Sequence, residues 1–246
     1  MRIYKLSTIG EFHTNHNEDA TAITEIGKDR TLMAVMDGCS MGKESHFAST
    51  LIAKLIRKIG KELSYKAFIE KTKTPISHLL EEILNQLFLD LSQLKSQLHL
   101  EEEEILSTLI IGIIDELKKE VILLTIGDGL VCSNGTLFEY EQDDKPYYLG
   151  CHLKEEFNDW YNAQSQTLYL KNIKDLSIST DGIFTFKNFD SLEYPLITEK
   201  EIIEYFLIDT KWERQENMLQ KKVFALKNKF GLLPSDDLTI IRFLLS

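Results

Sequence analysis

The stretch Thr31–Ser40, with the sequence TLMAVMDGCS, is an apolar run that ends abruptly at an Asp-Gly pair. A near-continuous apolar run of this length predicts a β-strand that is buried on both faces. Asp37 and Gly38 leave this strand for a segment that is not its hairpin partner, so the carboxylate of Asp37 is expected to point out of the strand end. We therefore expect Asp37 to lie at the centre of the functional site.

The composition argues against several classes of protein. Of the 246 residues, 43% are hydrophobic and 27% are charged, which is typical of a globular protein with a sizeable core. The formal net charge of -11 disfavours nucleic acid as a partner, because binding a polyanion usually requires a basic surface. The three cysteines are far apart and form no Cys-x-x-Cys pair, which favours a reducing compartment. Since neither a signal-peptide core nor a run of about 20 apolar residues occurs, the sequence predicts a cytoplasmic protein without a membrane partner.

The hydrophobic pattern predicts strands, two helices, more strands, two further helices and a closing strand. The predicted strands are 2–7, 20–26, 31–36, 106–114, 121–126, 130–133, 136–140, 167–170, 176–179 and 237–245. Helical periodicity begins after Gly42 and again at Thr74, the predicted N-cap of the second helix. Thr198 and Glu201 form a capping-box sequence, and Gly231 is expected to end the last helix.

This order of elements predicts an α+β fold in which helices cover β-sheets, with residues 1–246 forming a single domain. Asp128 and Gly129 stand directly between two strand-like runs, so they are predicted to form the turn of a hairpin within an antiparallel meander. Residues 139–165 are polar but rich in aromatics, and we interpret them as an excursion at the domain edge, a flap over a site. Its aromatic side chains are expected to pack the excursion itself.

Carboxylates at strand ends are the strongest chemical signal in the sequence. Asp37 and Asp181 each follow an apolar strand, and Asp19 and Asp236 lie in polar stretches that border strands. Carboxylates that converge at strand ends repel one another unless cations lie among them, and oxygen ligands of this kind suit Mg²⁺ or Mn²⁺. The sequence therefore predicts a divalent-metal site.

Seven short motifs, in order along nearly the whole chain, resemble those of the metal-dependent (PPM, or type 2C) Ser/Thr protein phosphatases. They are Asn17-Glu18-Asp19-Ala20, Val35-Met36-Asp37-Gly38, Ala48-Ser49, Ser107-Thr108, Gly127-Asp128, Ser179-Thr180-Asp181-Gly182 and Asp236-Asp237-Leu238-Thr239. The resemblance implies a compact, bacterial-type member with a four-layer α-β-β-α sandwich of two antiparallel β-sheets flanked by helices. It also implies a binuclear Mg²⁺ or Mn²⁺ centre that hydrolyses phosphoserine or phosphothreonine in a protein substrate, such as a Ser/Thr kinase or its targets.

The resemblance also implies roles for individual residues. Asp37 corresponds to the carboxylate that bridges both metals, and the carbonyl of Gly38 to a further ligand of one of them. Asp181 and Asp236 correspond to ligands of the other metal. Asp19 corresponds to the carboxylate that orients a metal-bound water, so Asp19 and Asp37 are the expected catalytic residues.

Several positions depart from the family pattern. The family commonly has an arginine four residues before the Glu of its Asn-Glu-Asp motif, where the planar guanidinium binds the substrate phosphate; this chain has Thr14. We take Thr14 and His16 as the substrate-binding positions, with His13 and Lys43 as further partial substitutes, and expect weaker phosphate binding. Cys39 stands where the family has His or Met, and we interpret it as a small packing residue.

Two further departures concern the metals. Thr185 occupies a position where the family often has another Asp near the metal centre. The run Glu101–Glu104 lies about where some members bind a third metal, and Glu103 is its candidate ligand, although most such runs are solvated surfaces. The sequence therefore does not decide whether a third metal ion binds.

Three functions remain under consideration. The first is an active metal-dependent phosphoprotein phosphatase, favoured because all four main carboxylate positions are filled. The second is a catalytically weak or inactive relative that binds phosphoproteins, favoured by Thr14 and Thr185. The third, a carboxylate-metal nuclease, fits the acidic residues but not the acidic surface.

Overall fold

The structure is a computed structural model that describes residues 1–70, 74–140, 147–190 and 194–245. Its strands are β1 (Arg2–Thr8), β2 (Asp19–Glu25), β3 (Arg30–Asp37), β4 (Leu109–Asp115), β5 (Glu120–Ile126), β6 (Gly129–Ser133), β7 (Thr136–Tyr140), β8 (Thr167–Lys171), β9 (Asp175–Ser179), β10 (Phe186–Asn188), β11 (Leu232–Pro234) and β12 (Leu238–Leu244). Its helices are α1 (Ser45–Glu70), α2 (Ile76–Leu98), α3 (Phe157–Asn162), α4 (Glu199–Leu207) and α5 (Met218–Phe230).

Ten of these strands form two antiparallel five-stranded sheets. The first sheet has the order β2-β3-β4-β5-β8, and the second sheet has the order β1-β12-β9-β6-β7. Apolar residues from both sheets, including Val35, Ile110, Ile178 and Phe243, form a buried cluster between them. A second cluster joins the first sheet to α1 and α2, and a third joins the second sheet to α4 and α5. The predicted α+β sandwich of two antiparallel sheets with flanking helices is therefore confirmed.

β3 shows why its sequence is apolar throughout. Its side chains alternate across the first sheet: Met33 and Val35 face the second sheet, whereas Leu32, Ala34 and Met36 face the helices. Each of these five side chains is at most 1% exposed. A strand that is covered on both faces requires apolar residues at every position, so this part of the sequence analysis is confirmed.

The predicted hairpin at Asp128-Gly129 is wrong. β5 belongs to the first sheet and β6 to the second, so Gly127 and Asp128 carry the chain from one sheet to the other. Gly127 and Gly129 adopt φ angles of 89° and 129°, and a Cβ on Gly129 would lie 2.8 Å from the carbonyl oxygen of Ser179. Glycine is required here by a crossover, not by a two-residue turn. The predicted meander is instead two hairpins, β4–β5 and β6–β7, in different sheets.

Several local predictions can be compared with the structure. The Asn134-Gly135 hairpin turn, the Thr198 and Glu201 capping box and the left-handed C-cap at Gly231 are all confirmed. The predicted N-cap at Thr74 is wrong, since Pro75 occupies the cap position of α2 and no side chain caps this helix.

The excursion is only partly described. Glu139 and Tyr140 belong to β7, and residues 141–146 lie outside the described residues. From Tyr147 onward the segment packs on α2, where Trp160 lies 4.4 Å from the ring of Phe88 between centroids. Among the residues that the structure describes, no helix is long and apolar enough to cross a membrane.

Two fully buried cations hold the C-terminal end of α4. Lys222 donates to the carbonyls of Tyr205 and Asp209 and, at 2.9 Å, to the Asp209 carboxylate. Arg242 of β12 donates to the carbonyls of residues 206, 208 and 209 and forms two bonds with the Asp175 carboxylate. These bonds satisfy carbonyls that a helix end leaves without intrahelical partners. Burial outweighs the pairing with Asp209 and lowers the pKa of Lys222 to about 8.

We expect Arg242→Met to lower the free energy of unfolding by about 3–5 kcal/mol, because it leaves the Asp175 carboxylate and the carbonyls of Phe206 and Ile208 without their donor. Urea denaturation measures this change. Lys227→Met, at an exposed position of α5, is the control and should change the value by less than about 0.5 kcal/mol. A loss for Arg242→Met as small as for the control would show that this network contributes little to stability.

Candidate active site

Asp37 and Asp19 are direct neighbours across β2 and β3. In this antiparallel pair Asp19, the first residue of β2, stands opposite Asp37, the last residue of β3. The exit from β3 is fixed by two backbone hydrogen bonds, from Gly38 N to Glu18 O (3.1 Å) and from Thr108 N to Asp37 O (2.8 Å). The register of one hairpin therefore places two of the predicted carboxylates side by side.

The second sheet contributes Asp181 and Asp236 to the same edge. β9 and β12 are antiparallel neighbours, so the residues after Ser179 lie next to those before Leu238. A hydrogen bond from Thr180 Oγ1 to Asp19 Oδ2 (2.8 Å) joins the edges of the two sheets directly. Thr185, where an acidic residue was expected, accepts a hydrogen bond from the backbone N–H of Asp236 (3.1 Å) and so holds that loop in place.

Electrostatic coupling shows that these side chains share one site. Burial, followed by the charges of Asp19, Asp181, Asp236 and Asp128, raises the pKa of Asp37 well above its ordinary value. The pKa of Asp181 rises to about 7. Burial is the largest cause of this rise, and the charges of Asp128 and Asp236 raise the pKa further. We call these five residues the carboxylate cluster. It contains all four predicted aspartates and also Asp128, which the sequence analysis had assigned to a turn.

The cluster has the chemistry of a divalent-cation site. Asp19 Oδ1 and Glu18 Oε2 are buried without a hydrogen-bond partner among the described residues, and a buried carboxylate oxygen in this state is costly. As the side chains stand, no three His, Cys, Asp or Glu residues in the described ranges converge closely enough to hold a metal ion. Binding of a cation would therefore require rotation of the carboxylate side chains at these strand ends. Because the donors are hard oxygens and the unmet charge is negative, the residues present fit Mg²⁺ or Mn²⁺.

Glu18 and Asp237 are site residues that the sequence analysis did not assign. Glu18 Oε1 accepts a hydrogen bond from Ser45 Oγ (2.5 Å), next to Gly38, where a Cβ would lie 2.0 Å from the Ser45 carbonyl oxygen. The buried carboxylate of Asp237 accepts hydrogen bonds from the N–H groups of Gly10 (2.7 Å) and Glu18 (2.5 Å). Both residues belong to the quoted motifs, next to Asp19 and Asp236, which is the signal that could have identified them.

His13 belongs to this edge through its carboxylate partners. Its Nδ1 lies 3.0 Å from Asp237 Oδ2, and its Nε2 lies 3.4 Å from Asp236 Oδ1. Burial alone would lower the pKa of His13, but the hydrogen bond and charge of Asp237 and the charge of Asp236 outweigh it, so the pKa is raised. When it is protonated, His13 therefore pairs with these two carboxylates.

Thr14 and His16 line a cleft of about 640 Å³ beside the cluster, which we call the histidine cleft. The ring of His16 stacks on that of His46 from α1, with 4.2 Å between centroids. Glu18 and Ser45 line the same cleft, so it reaches the backbone around Gly38. The structure thus brings the two predicted substrate positions to a cleft that is also lined by Glu18, next to Asp19, and by His13, next to Asp236.

The other candidates lie farther out or are occupied. Lys43 lines the histidine cleft but forms an ion pair with Glu101. Glu103 is exposed, in a short 3₁₀ turn over Glu102–Glu104. Cys39 is only 4% exposed, as expected for a packing residue.

Comparison with known proteins agrees with this architecture. The protein phosphatase 2C family model matches residues 12–222. A bacterial serine phosphatase is 14% identical, with a TM-score of 0.61 over 100% of this chain and 98% of that one. The phosphatase Stp1 from Staphylococcus aureus is 13% identical, with a TM-score of 0.63 over 100% and 96%. RsbX, solved in complex with magnesium, is 16% identical, with a TM-score of 0.55 over 100% and 96%. These identities show a shared fold, and no curated protein matches the sequence.

We expect Asp37→Asn to have opposite effects on stability with and without cations. In chelator the variant should melt at a higher temperature than the wild type, because one of the mutually repelling carboxylates is neutralised. With Mn²⁺ the wild type should gain about 2.7 kcal/mol at a concentration of 100 times Kd, and the variant much less. Thermal unfolding measures both effects. Asp159→Asn, at an exposed carboxylate of α3, is the control and should behave as the wild type. If Mn²⁺ stabilises Asp37→Asn as much as the wild type, there is no metal site at Asp37.

Proposed function

The chain belongs to the protein phosphatase 2C family, and we propose that it hydrolyses phosphoserine or phosphothreonine in phosphorylated proteins with two Mg²⁺ or Mn²⁺ ions. The observation that carries this proposal is the carboxylate cluster with its mutual repulsion, together with the buried oxygens of Asp19 and Glu18 that have no hydrogen-bond partner among the described residues. The substrate would be a phosphorylated protein, such as a Ser/Thr kinase or one of its targets. The three free cysteines agree with a cytoplasmic location.

The residues that would hold the cations lie at the edges of both sheets. Asp37 would bridge the two ions, and the Gly38 carbonyl would bind one of them. Asp181 and Asp236 would bind the other, and the position of Glu18 beside Gly38 makes it a further candidate. When bound, the cations supply positive charge that lowers the pKa of a water molecule and holds the phosphoryl oxygens for in-line attack.

Asp19 is suited to orient the attacking water. Its Oδ2 accepts a hydrogen bond from Thr180 Oγ1, whereas its Oδ1 has no hydrogen-bond partner in the described part of the chain. The carboxylate is therefore held in one orientation with one oxygen available to accept a hydrogen bond from water. Without cations, burial raises the pKa of Asp19 well above its ordinary value.

The phosphorylated residue would reach the cluster through the histidine cleft. Thr14 and His16 line this cleft, and both are exposed to solvent and hence accessible to a substrate. Neither offers the planar pair of donors of an arginine, and the charge of Lys43 is paired with Glu101. Binding of the substrate phosphate in the cleft is therefore proposed to be weak.

A second candidate function is a catalytically weak or inactive relative that binds phosphoproteins. Two observations favour it: Thr14 offers no positive charge, and no three candidate ligands in the described ranges converge as they stand. Thr185 no longer adds to this case, because its hydroxyl has a structural role at Asp236. The two functions differ in whether turnover depends on metal.

Turnover of a phosphothreonine peptide should require Mn²⁺ or Mg²⁺ and should be lost in chelator. Asp37→Asn should lower kcat/KM on the order of 100-fold or more, because it removes charge that positions both cations. Release of inorganic phosphate measures the rate, and Asp159→Asn serves again as the exposed carboxylate control. Equal turnover in chelator, or in the Asp37 variant, would favour the phosphoprotein-binding alternative.

Thr14→Arg should strengthen substrate binding. A guanidinium in the histidine cleft can form two charge-assisted hydrogen bonds with a phosphate, so KM should fall by about 10-fold with little change in kcat. Thr14→Lys should give a smaller effect, because an ammonium group is a point charge without the planar pair of donors. Thr50→Arg, at an exposed position on α1, controls for the added charge. An unchanged KM in Thr14→Arg would show that residue 14 does not face the phosphate.

A further inference from the structure

Phe12 lies at the rim of the histidine cleft with most of its side chain in water. It lines this cleft together with Thr14 and His16, and it is 65% exposed. A single exposed apolar side chain is common on protein surfaces and has no meaning by itself, whereas a group of them beside a cleft indicates a binding surface. The neighbours of Phe12 therefore decide how it is interpreted.

Phe189 and Lys187 continue this surface beyond the cleft. The ring of Phe189 meets the ring of Phe12 edge to face, with 5.7 Å between centroids and 77° between the ring planes. Lys187 Nζ lies 5.1 Å from the centroid of the Phe12 ring. Phe189 is 38% exposed, and Lys187 is also exposed. We call Phe12, Phe189 and Lys187 the aromatic platform.

Main-chain hydrogen bonds hold both parts of the aromatic platform beside the site. Phe12 N donates to the carbonyl of Ser235 (3.0 Å), directly before Asp236 of the carboxylate cluster. Phe189 N donates to the carbonyl of Gly231 (3.2 Å), next to the paired strands β10 and β11. The backbone under these side chains is therefore fixed relative to the cluster, which lowers the entropy cost of binding a ligand there.

Lys187 differs from the other cations near the cleft in having no carboxylate partner. Lys43 forms an ion pair with Glu101, and His13 lies against the carboxylate of Asp236. Among the residues that the structure describes, Lys187 forms no ion pair, and its Nζ lies near a phenylalanine ring. A ligand that extends from the cleft onto the aromatic platform therefore meets an apolar surface and an available positive charge.

We propose that the aromatic platform binds the segment of the substrate protein next to the phosphorylated residue. An apolar side chain of this segment would pack on Phe12 and Phe189, and a carboxylate would pair with Lys187. The proposal rests on the proposed phosphatase function, in which the phosphorylated residue itself occupies the histidine cleft. Continuity favours this ligand, because a polypeptide held in the cleft by one residue continues beyond it, and Phe12 belongs to both surfaces.

Contacts away from the phosphate have a particular importance in this chain. Because Thr14 offers no guanidinium to the phosphate, more of the binding energy has to come from the polypeptide around the phosphorylated residue. The expected substrates are phosphoproteins with a large apolar residue and a glutamate or aspartate beside the phosphorylated residue. Lysine or arginine at the acidic position should be disfavoured, since either would face Lys187.

Phe12→Ala tests the apolar part of the aromatic platform. For a phosphothreonine peptide flanked on both sides by leucine and glutamate, KM should rise about 10-fold with little change in kcat, because the lost contact is distant from the reacting phosphorus. Phe224→Ala, at a phenylalanine of α5 that is 63% exposed, is the matched control and should leave KM unchanged. An equal KM in Phe12→Ala and the wild type overturns the proposal.

Lys187→Glu tests the charge by reversing it. The variant should bind the leucine–glutamate peptide about 10-fold more weakly than the wild type does. It should also prefer a peptide in which lysine replaces glutamate, which is the opposite of the wild-type preference. Lys227→Glu, at an exposed position of α5, controls for the change in net charge. If Lys187→Glu keeps the wild-type preference, Lys187 does not contact the peptide and the proposal is wrong.

A binding measurement separates this proposal from the phosphatase function. Calorimetric titration of the same peptides into the Mn²⁺-loaded protein requires no turnover, and Phe12→Ala and Lys187→Glu should weaken peptide binding but not the binding of inorganic phosphate. If the peptide binds in this way without metal-dependent release of phosphate, the phosphatase function fails and the aromatic platform is still supported. The proposal is overturned if the wild type binds no peptide, or if both variants lose affinity for inorganic phosphate as much as for the peptide.

Discussion

Repulsion among carboxylates gathered at one edge of the two sheets is the constraint on which the rest of this structure depends. Five aspartates from both sheets lie at one edge of the sandwich, and burial and their mutual charge raise the pKa of Asp19, Asp37 and Asp181. Nothing in this arrangement favours folding by itself. The apolar layer between the sheets and the two helix-covered outer faces must supply the stability that holds these charges together.

The protein holds the site mainly with neutral groups. Hydroxyls of Ser45, Thr180 and Thr185 bond to Glu18, to Asp19 and to the backbone of Asp236, respectively. The lysine and arginine side chains of Lys222 and Arg242 lie away from the site, where they close the end of α4. A site organised by neutral donors keeps its negative charge, which is the condition for attracting divalent cations from solution.

Local sequence patterns identify residues whose position depends on their neighbours along the chain, but they do not identify residues whose position depends on which strands pair. Asp37 was identified because an apolar strand ends at it, and the structure places it beside Asp19 and in electrostatic contact with Asp181. Asp128 was assigned to a hairpin because the two strands around it are adjacent in sequence. Those strands belong to different sheets, and an Asp-Gly pair gives no signal that distinguishes a two-residue turn from a crossover.

The sequence by itself determined the layered α+β fold, the doubly buried β3 and four strand-end aspartates, because side-chain periodicity and turn chemistry act within a few residues along the chain. Only the tertiary structure decided that Asp128 joins the cluster and that Asp237 holds the Gly10 and Glu18 backbone. These contacts join segments far apart in sequence. They follow from how the two sheets pack on each other. This packing depends on side chains from the whole core, so no single stretch of sequence determines it.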